Sequence, residues 1–250
     1  MKDSLYKKIF YTIIAVILIF IIYSVFAAIK NNDLIYPSLF NIFNCIYKEI
    51  TNLKNIGIIL LIIPKVLLVV FISLFISLLI GLIYYILPNS IYFFRPFINI
   101  LKVAPFAAIA VYIIMAVSRN IAPSILCYLV CFPLMAEGVI NAIDNVDETL
   151  KDDLKLLDNG NMNKFIHGYV PLIMPTIIMA FLQSFGLGLK SMIMGEYLCS
   201  TNNSIGGILY NYKSALAYNY ILAWLIIIVI VVSIIDLIIR LIGKKVLKYT

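Results

Sequence analysis

Residues 141–171 read NAIDNVDETLKDDLKLLDNGNMNKFIHGYVP, a polar island in an otherwise apolar chain. Six of the twelve acidic residues fall between Asp144 and Asp158, with Lys151, Lys155 and Lys164 among or just after them and the single histidine, His167, following. Pro171 and Pro175 open the next apolar run. Inside the island Ile143, Val146, Leu150, Leu154 and Leu157 recur at three- and four-residue spacing, which predicts an amphipathic helix with its acids on the other face. Asp147 is placed to cap that helix or to pair with Lys151. Asp158-Asn159-Gly160-Asn161 then supplies a tight turn, because Asn and Gly tolerate positive φ. Two readings stand for the stripe: it packs on its own bundle beneath a solvated loop, or it docks on a soluble partner.

What surrounds the island decides the solvent. Of the 250 residues, 64% are apolar and 12% charged, against about 45–50% and about 25% in soluble domains. Water does not solvate that much apolar surface, so the chain is expected in lipid, as one domain of an all-α polytopic bundle. The net charge of +7 is spread beside apolar runs rather than gathered in a patch. It reads as a set of topology markers and not as a nucleic-acid surface.

About six spans are expected. Ile9–Ile29 carries no charge over 21 residues, long enough for the roughly 30 Å hydrocarbon core, and is read as a retained first span rather than a signal peptide ending at Phe26-Ala27-Ala28. Tyr36-Pro37-Ser38 looks like a helix start. Leu39, Phe43, Ile46 and Ile50 then form one face of a short amphipathic helix at the outer surface. The second span lies in the long apolar run Ile56–Leu87, which only Pro64-Lys65 interrupts, with Ser73, Ser77 and Gly81 as a small-residue stripe. It ends at Pro88-Asn89-Ser90, and Arg95 marks a turn. Phe97–Val117 is the third span, bent at Pro105, and Ile121–Ile140 the fourth, with Glu137 near its inner end. Pro171 to about Glu196 is the fifth, followed by a loop, Cys199–Tyr212. The uncharged run Ser214–Ile235 is the sixth, and Asp236 and Arg240 beyond it are spaced for an ion pair. With both termini inside, twelve Lys and Arg fall on inner segments and five (Lys30, Lys48, Lys54, Arg119, Lys213) on outer ones. The positive-inside rule then puts the island 141–170 in the cytoplasm. Cys127 and Cys131, four apart with no ligand partner nearby, read as small packing residues.

The order helix, turn, short helix and Pro-x-x-x-Pro resembles the cytoplasmic loop of ABC importer permeases. Pro171 and Pro175 match the family's terminal prolines. Asp152 then falls on the family's acid, Asp153 and Leu154 on its two small positions, and Asp158 on its glycine, with Gly160 two residues away. Gly188-Leu189-Lys190-Ser191, Gly195-Glu196, Ser204-Ile205-Gly206-Gly207, Leu209-Tyr210 and Lys213 resemble the nitrate/taurine/sulfonate class of these permeases, as does the proline-broken Lys102-Val103-Ala104-Pro105. The resemblance spans roughly residues 56–240 and implies a type I ABC importer permease fold. It also implies a dimer of permeases lining one pathway and an extracytoplasmic solute-binding protein as donor. Two ABC ATPase subunits would be gripped through Val146, Leu150, Leu154, Leu157, Asp158, Asn159, Gly160 and Pro171. No cofactor is expected in this chain. ATP and Mg would be bound by the partner ATPase, since no G-x-x-x-x-G-K-[ST] motif occurs. Nitrate, sulfonates, taurine and vitamin precursors are the solutes the resemblance suggests.

Gln183, Ser184, Lys190 and Glu196 are the candidates for the pathway or its gate, because ionisable groups in a span are costly and often functional. Lys190 and Glu196 are six apart, about 120° around a helix, and are poorly placed to pair with each other. Snorkelling or pairing with a neighbouring helix is the structural alternative. An integral-membrane enzyme finds little equipment in one histidine, although Asp152, Asp153 and Asp158 are acids of the kind that hold Mg²⁺. A secondary transporter working without an ATPase remains the competing transport reading.

Overall fold

The computed structural model describes residues 2–30, 32–150 and 160–247. The described residues are helical throughout, joined by turns. They cluster into two compact units, one of residues 1–56 and 211–229 and the other of residues 57–210 and 230–250.

In the first unit, α1 is Lys2–Lys30 and α2 is Leu39–Thr51. Ser38 caps α2, its Oγ accepting from the Asn41 N–H at 3.4 Å, as expected of a serine at that position. The face of α2 that packs on protein lies beside the apolar face read from spacing. Ile42, Cys45 and Glu49 are buried, whereas Phe43 and Ile50 are exposed. The helix is turned by its acid: Glu49 accepts hydrogen bonds from Trp224 Nε1 (2.7 Å), the Tyr212 hydroxyl (2.7 Å) and Asn55 Nδ2 (2.9 Å). Apolar periodicity cannot foresee a buried carboxylate.

In the second unit, α3 begins at Leu53 in the first unit's stretch and runs as one helix through Pro64 to Ile86. A one-turn 3₁₀ helix, Pro88–Ser90, leads into α4, Ile91–Val103, so Arg95 lies inside a helix rather than in a turn. The expected third span is two pieces. α4 and α5 (Phe106–Ala116) meet at 96°. The reason is local: Pro105 excludes helical geometry at Ala104, which is extended (φ −61, ψ 130).

The centre of this unit is the pair α6 (Ala122–Asp144) and α7 (Val170–Leu198). A Cβ on Gly138 would run into the Cβ of Ala180, so the backbones meet where only hydrogen and methyl stand between them. Cys127 and Cys131 pack at the same crossing, their Sγ atoms 3.4 and 3.3 Å from the carbonyl oxygens of Gly188 and Ser184. Above α7 the chain passes from a short turn, Asn161–Lys164, through a wide π turn, Phe165–Tyr169. Pro171 has no N–H to return to the preceding turn, and the extra residue of the π turn absorbs that loss.

The Gly-rich segment after Cys199 is mostly a helix, α8 (Ile205–Ser214), not a loop. Ser204 starts it, its Oγ accepting from the Gly207 N–H at 3.0 Å. The glycines that suggested a loop serve contact instead, since a Cβ on Gly206 would strike the backbone of Glu196 and Tyr197. α9, Tyr218–Leu247, closes the chain. The Arg240 side chain lies outside the described residues, and so does any pair it makes with Asp236.

Among the described residues four helices are long and apolar enough to cross a membrane, five if the bent pair α4–α5 is one span. Only Ile17–Lys30 of α1 falls in that comparison. That stretch is a shorter apolar helix, so six spans were expected and four or five are found among the described residues.

Candidate functional site

Two regions of the second unit gather the sequence candidates. The first is the root of the polar island. α6 continues to Asp144, so Ile143 belongs to α6 and the expected single helix from Ile143 is interrupted at residues 145–147. A new helical turn begins at residue 148, directly after Asp147, which therefore stands at the capping position. Leu154, Leu157, Asp158 and Asn159 lie outside the described residues. Val146 packs with Phe165, Tyr169, Val139 and Ile143, which close the base of the island. Leu150, Met162 and Ile166 are exposed on its two flanks. Gly160 has open space where a Cβ would stand. Pro171 is exposed at the start of α7.

This root is braced by charge. The Tyr84 hydroxyl of α3 donates to Asp144 at 2.5 Å, and Arg95 of α4 reaches the other oxygen of that carboxylate at 3.8 Å. Lys102 and Glu137 join α4 to α6 at 2.5 Å. Glu137 is thus held by a lysine of α4. All four charged groups are substantially exposed, so each pair contributes modestly, about 0.2–1 kcal/mol. Their value is in fixing where the island leaves the bundle.

The second region is α7. Leu172, Thr176, Met179, Gln183, Leu187, Lys190 and Met194 are all exposed and recur at three and four, which makes one continuous stripe. The adjoining face, with Ile173, Ile177, Ala180, Ser184, Gly188 and Ser191, is buried. The four candidates therefore divide. Gln183 and Lys190 stand on the open stripe. Ser184 is fully buried, with no partner for its hydroxyl. Glu196 is 2% exposed.

Glu196 has a partner that the sequence did not single out. Lys65 Nζ of α3 lies 3.2 Å from Glu196 Oε1, and the Gly206 N–H donates to Oε2 at 3.4 Å. Around them Thr201 donates its N–H to the Glu196 carbonyl (3.0 Å) and its hydroxyl to the Arg119 carbonyl (3.1 Å). Ser204 donates to the Thr201 carbonyl at 2.7 Å. Residues 195–207 are thus a polar knot tying α7, α8 and α3. A lone Lys in one apolar run and a lone Glu in another hinted at a cross-helix pair, since each is costly by itself. Spacing along one chain cannot say which helices are neighbours.

In the first unit the missed residue is Glu49, 8% exposed with three donors on its carboxylate. Burial, with the Glu49 hydrogen bond adding to it, pushes the Tyr212 hydroxyl above the usual tyrosine range. Tyr212 therefore stays protonated and donating at neutral pH.

A family profile described as "Binding-protein-dependent transport system inner membrane component" matches residues 78–248. Among solved structures, the chain resembles one of an inward-facing crystal form of the MetNI methionine ABC transporter. The TM-score is 0.61 and the identity 17%, over 80% of this chain and 99% of that one. At that identity the likeness concerns the fold, a type I ABC importer permease. No curated protein sequence matches the chain.

Proposed function

The chain belongs to the family of binding-protein-dependent transport system inner membrane components, and from that premise we propose that two permeases of this kind line one solute pathway with α7 at its centre. The protein is a multi-pass membrane subunit of an ABC importer, a transport component rather than an enzyme, and its system includes an ATPase and a binding protein. The observation that carries the proposal is the stripe of α7. A glutamine and a lysine on an exposed face of Leu, Met and a single Thr are costly against lipid. They are accommodated where that face meets a second permease across a wet pathway. The Lys190 ammonium supports an anionic or anion-bearing solute, in keeping with the nitrate/taurine/sulfonate resemblance. Ser184 and Glu196, which face into the protein, position α7 rather than touch solute.

The island serves the ATPase. Leu150, Met162 and Ile166 present apolar side chains from a polar loop, as a helix seated in a groove requires. Leu154, Leu157, Asp158 and Asn159 contact the ATPase as well in this reading. ATP and Mg are held by the ATPase subunits, the island is cytoplasmic, and the binding protein delivers solute from the other side. Cysteines placed at Leu187 and at Met194 test the central pairing. Disulfide formation between two copies in the assembled complex is the expected result. Free labelling of both by a lipid-soluble maleimide, without cross-linking, counts against the pairing.

A further inference from the structure

The exposed surface of α2 is divided in a way that its burial by protein alone does not explain. At about 100° per residue, thirteen residues of this helix fall into three sectors. Ile42, Cys45 and Glu49 are buried, with Ile46 half-buried beside them, against Ala223 and its neighbours. Next to that face, Phe40, Phe43, Tyr47 and Ile50 form an exposed apolar sector, with Phe40 73% and Tyr47 72% exposed. On the remaining flank Asn41, Asn44, Lys48 and Thr51 are exposed and polar.

We propose that α2 lies in the plane of the membrane interface, with its apolar sector sunk among lipid acyl chains, its polar sector in water and its third face against the protein. A helix meeting only water and protein has no use for a run of Phe, Phe, Tyr and Ile set beside a run of Asn, Asn, Lys and Thr. A helix at the boundary of three media needs both. The apolar sector is also continuous with the lipid face of the first unit. The Phe43 ring lies 6.1 Å from Phe20 of α1, and α1 around it exposes Ile17, Leu18, Ile21 and Val25. Neighbouring groups are those expected at headgroup depth. Tyr23 donates to the Pro37 carbonyl at 2.8 Å, and Phe26 packs edge-on against Tyr36 at 5.1 Å with Lys30 near its face. Tyr and Lys anchor at that depth because each has an apolar body and a polar tip.

Glu49 sets the angle. Its three donors come from Asn55, Tyr212 and Trp224, and turning α2 by one residue's arc would withdraw the carboxylate from all of them. The acid thus acts as a rotational lock that keeps Phe40, Phe43 and Tyr47 toward lipid and Lys48 toward water.

The test uses the intact transport complex in lipid nanodiscs, with nitroxide labels placed singly on α2; the four native cysteines are buried and stay. Labels at Phe40, Phe43 and Tyr47 should collide several-fold more with oxygen than with a water-soluble nickel chelate. Labels at Asn41, Asn44 and Lys48 should show the reverse. E49Q should keep this alternation and E49L should flatten it. A photoactivatable phospholipid gives a readout on the unsubstituted chain, with adducts expected on Phe40 or Tyr47 and none on Asn44 or Lys48. Chelate access at all six positions would overturn the proposal. So would shielding of the apolar sector from both reagents and from the lipid probe, the mark of a second copy or the binding protein on that face.

Discussion

Lys65 of α3 and Glu196 of α7 meet as an ion pair at 3.2 Å, although 131 residues separate them in the chain. Glu196 is 2% exposed and Lys65 43%. The pair is therefore asymmetric, a buried acid answered by a cation on the exposed side of α3. Removing the lysine strands the acid, whereas removing both leaves little to solvate. K65M should lower the stability of the purified protein by about 2 kcal/mol, below the full range for a buried pair because only Glu196 is buried. K65M/E196Q should recover most of that loss. Thermal unfolding in detergent measures both, and additive losses would show that the two side chains do not interact.

Gly138 and Ala180 set the α6–α7 crossing. G138A places two methyl groups in the same space and should destabilise by about 1–3 kcal/mol, the usual cost of overpacking. G138A/A180G moves the methyl to the other helix and should restore stability to near that of the parent. A double variant no better than G138A would mean that the close approach lies elsewhere.

On the island, L150D and the pair L154D/L157D should each weaken retention of the ATPase subunit by at least about tenfold, the cost of placing a charge in an apolar groove. Membrane insertion should be unchanged. Co-purification at parental yield would remove the island from the ATPase interface. A cysteine at Asn159 should react with an impermeant maleimide only from the cytoplasmic side, and reaction from outside would invert the topology.

For the pathway, K190M should abolish uptake in reconstituted vesicles while ATP hydrolysis and assembly persist, and K190R should retain part of it. If K190M transports normally, Lys190 sits outside the solute's route.

The class of fold was legible because lipid leaves few choices. A chain this apolar must satisfy its backbone within helices, and uncharged runs such as Ser214–Ile235 mark themselves. The break at Pro105 was legible as a bend, while its 96° depends on Ala104 being forced into extended backbone. The protein-facing side of α2 was not legible, because it is set by Glu49 and its distant donors, beside the apolar stripe. The segment after Cys199 reads as a loop because Gly206 and Gly207 break helices in water, whereas here they allow α8 to sit against Glu196. In both places a polar group buried by distant residues supplies what local pattern lacks. Gln183 and Lys190 could be nominated from cost alone, but their shared exposed stripe needed the packing of α6 to define the adjoining face.

The most direct test of the account is native mass spectrometry, joined to an ATPase assay, on the complex purified through this chain from its own membranes. Two copies of a permease with two subunits bearing the phosphate-binding motif this chain lacks, and hydrolysis lost on L154D/L157D, is the predicted result. A chain that purifies without any ATPase and takes up solute on an ion gradient alone would contradict it.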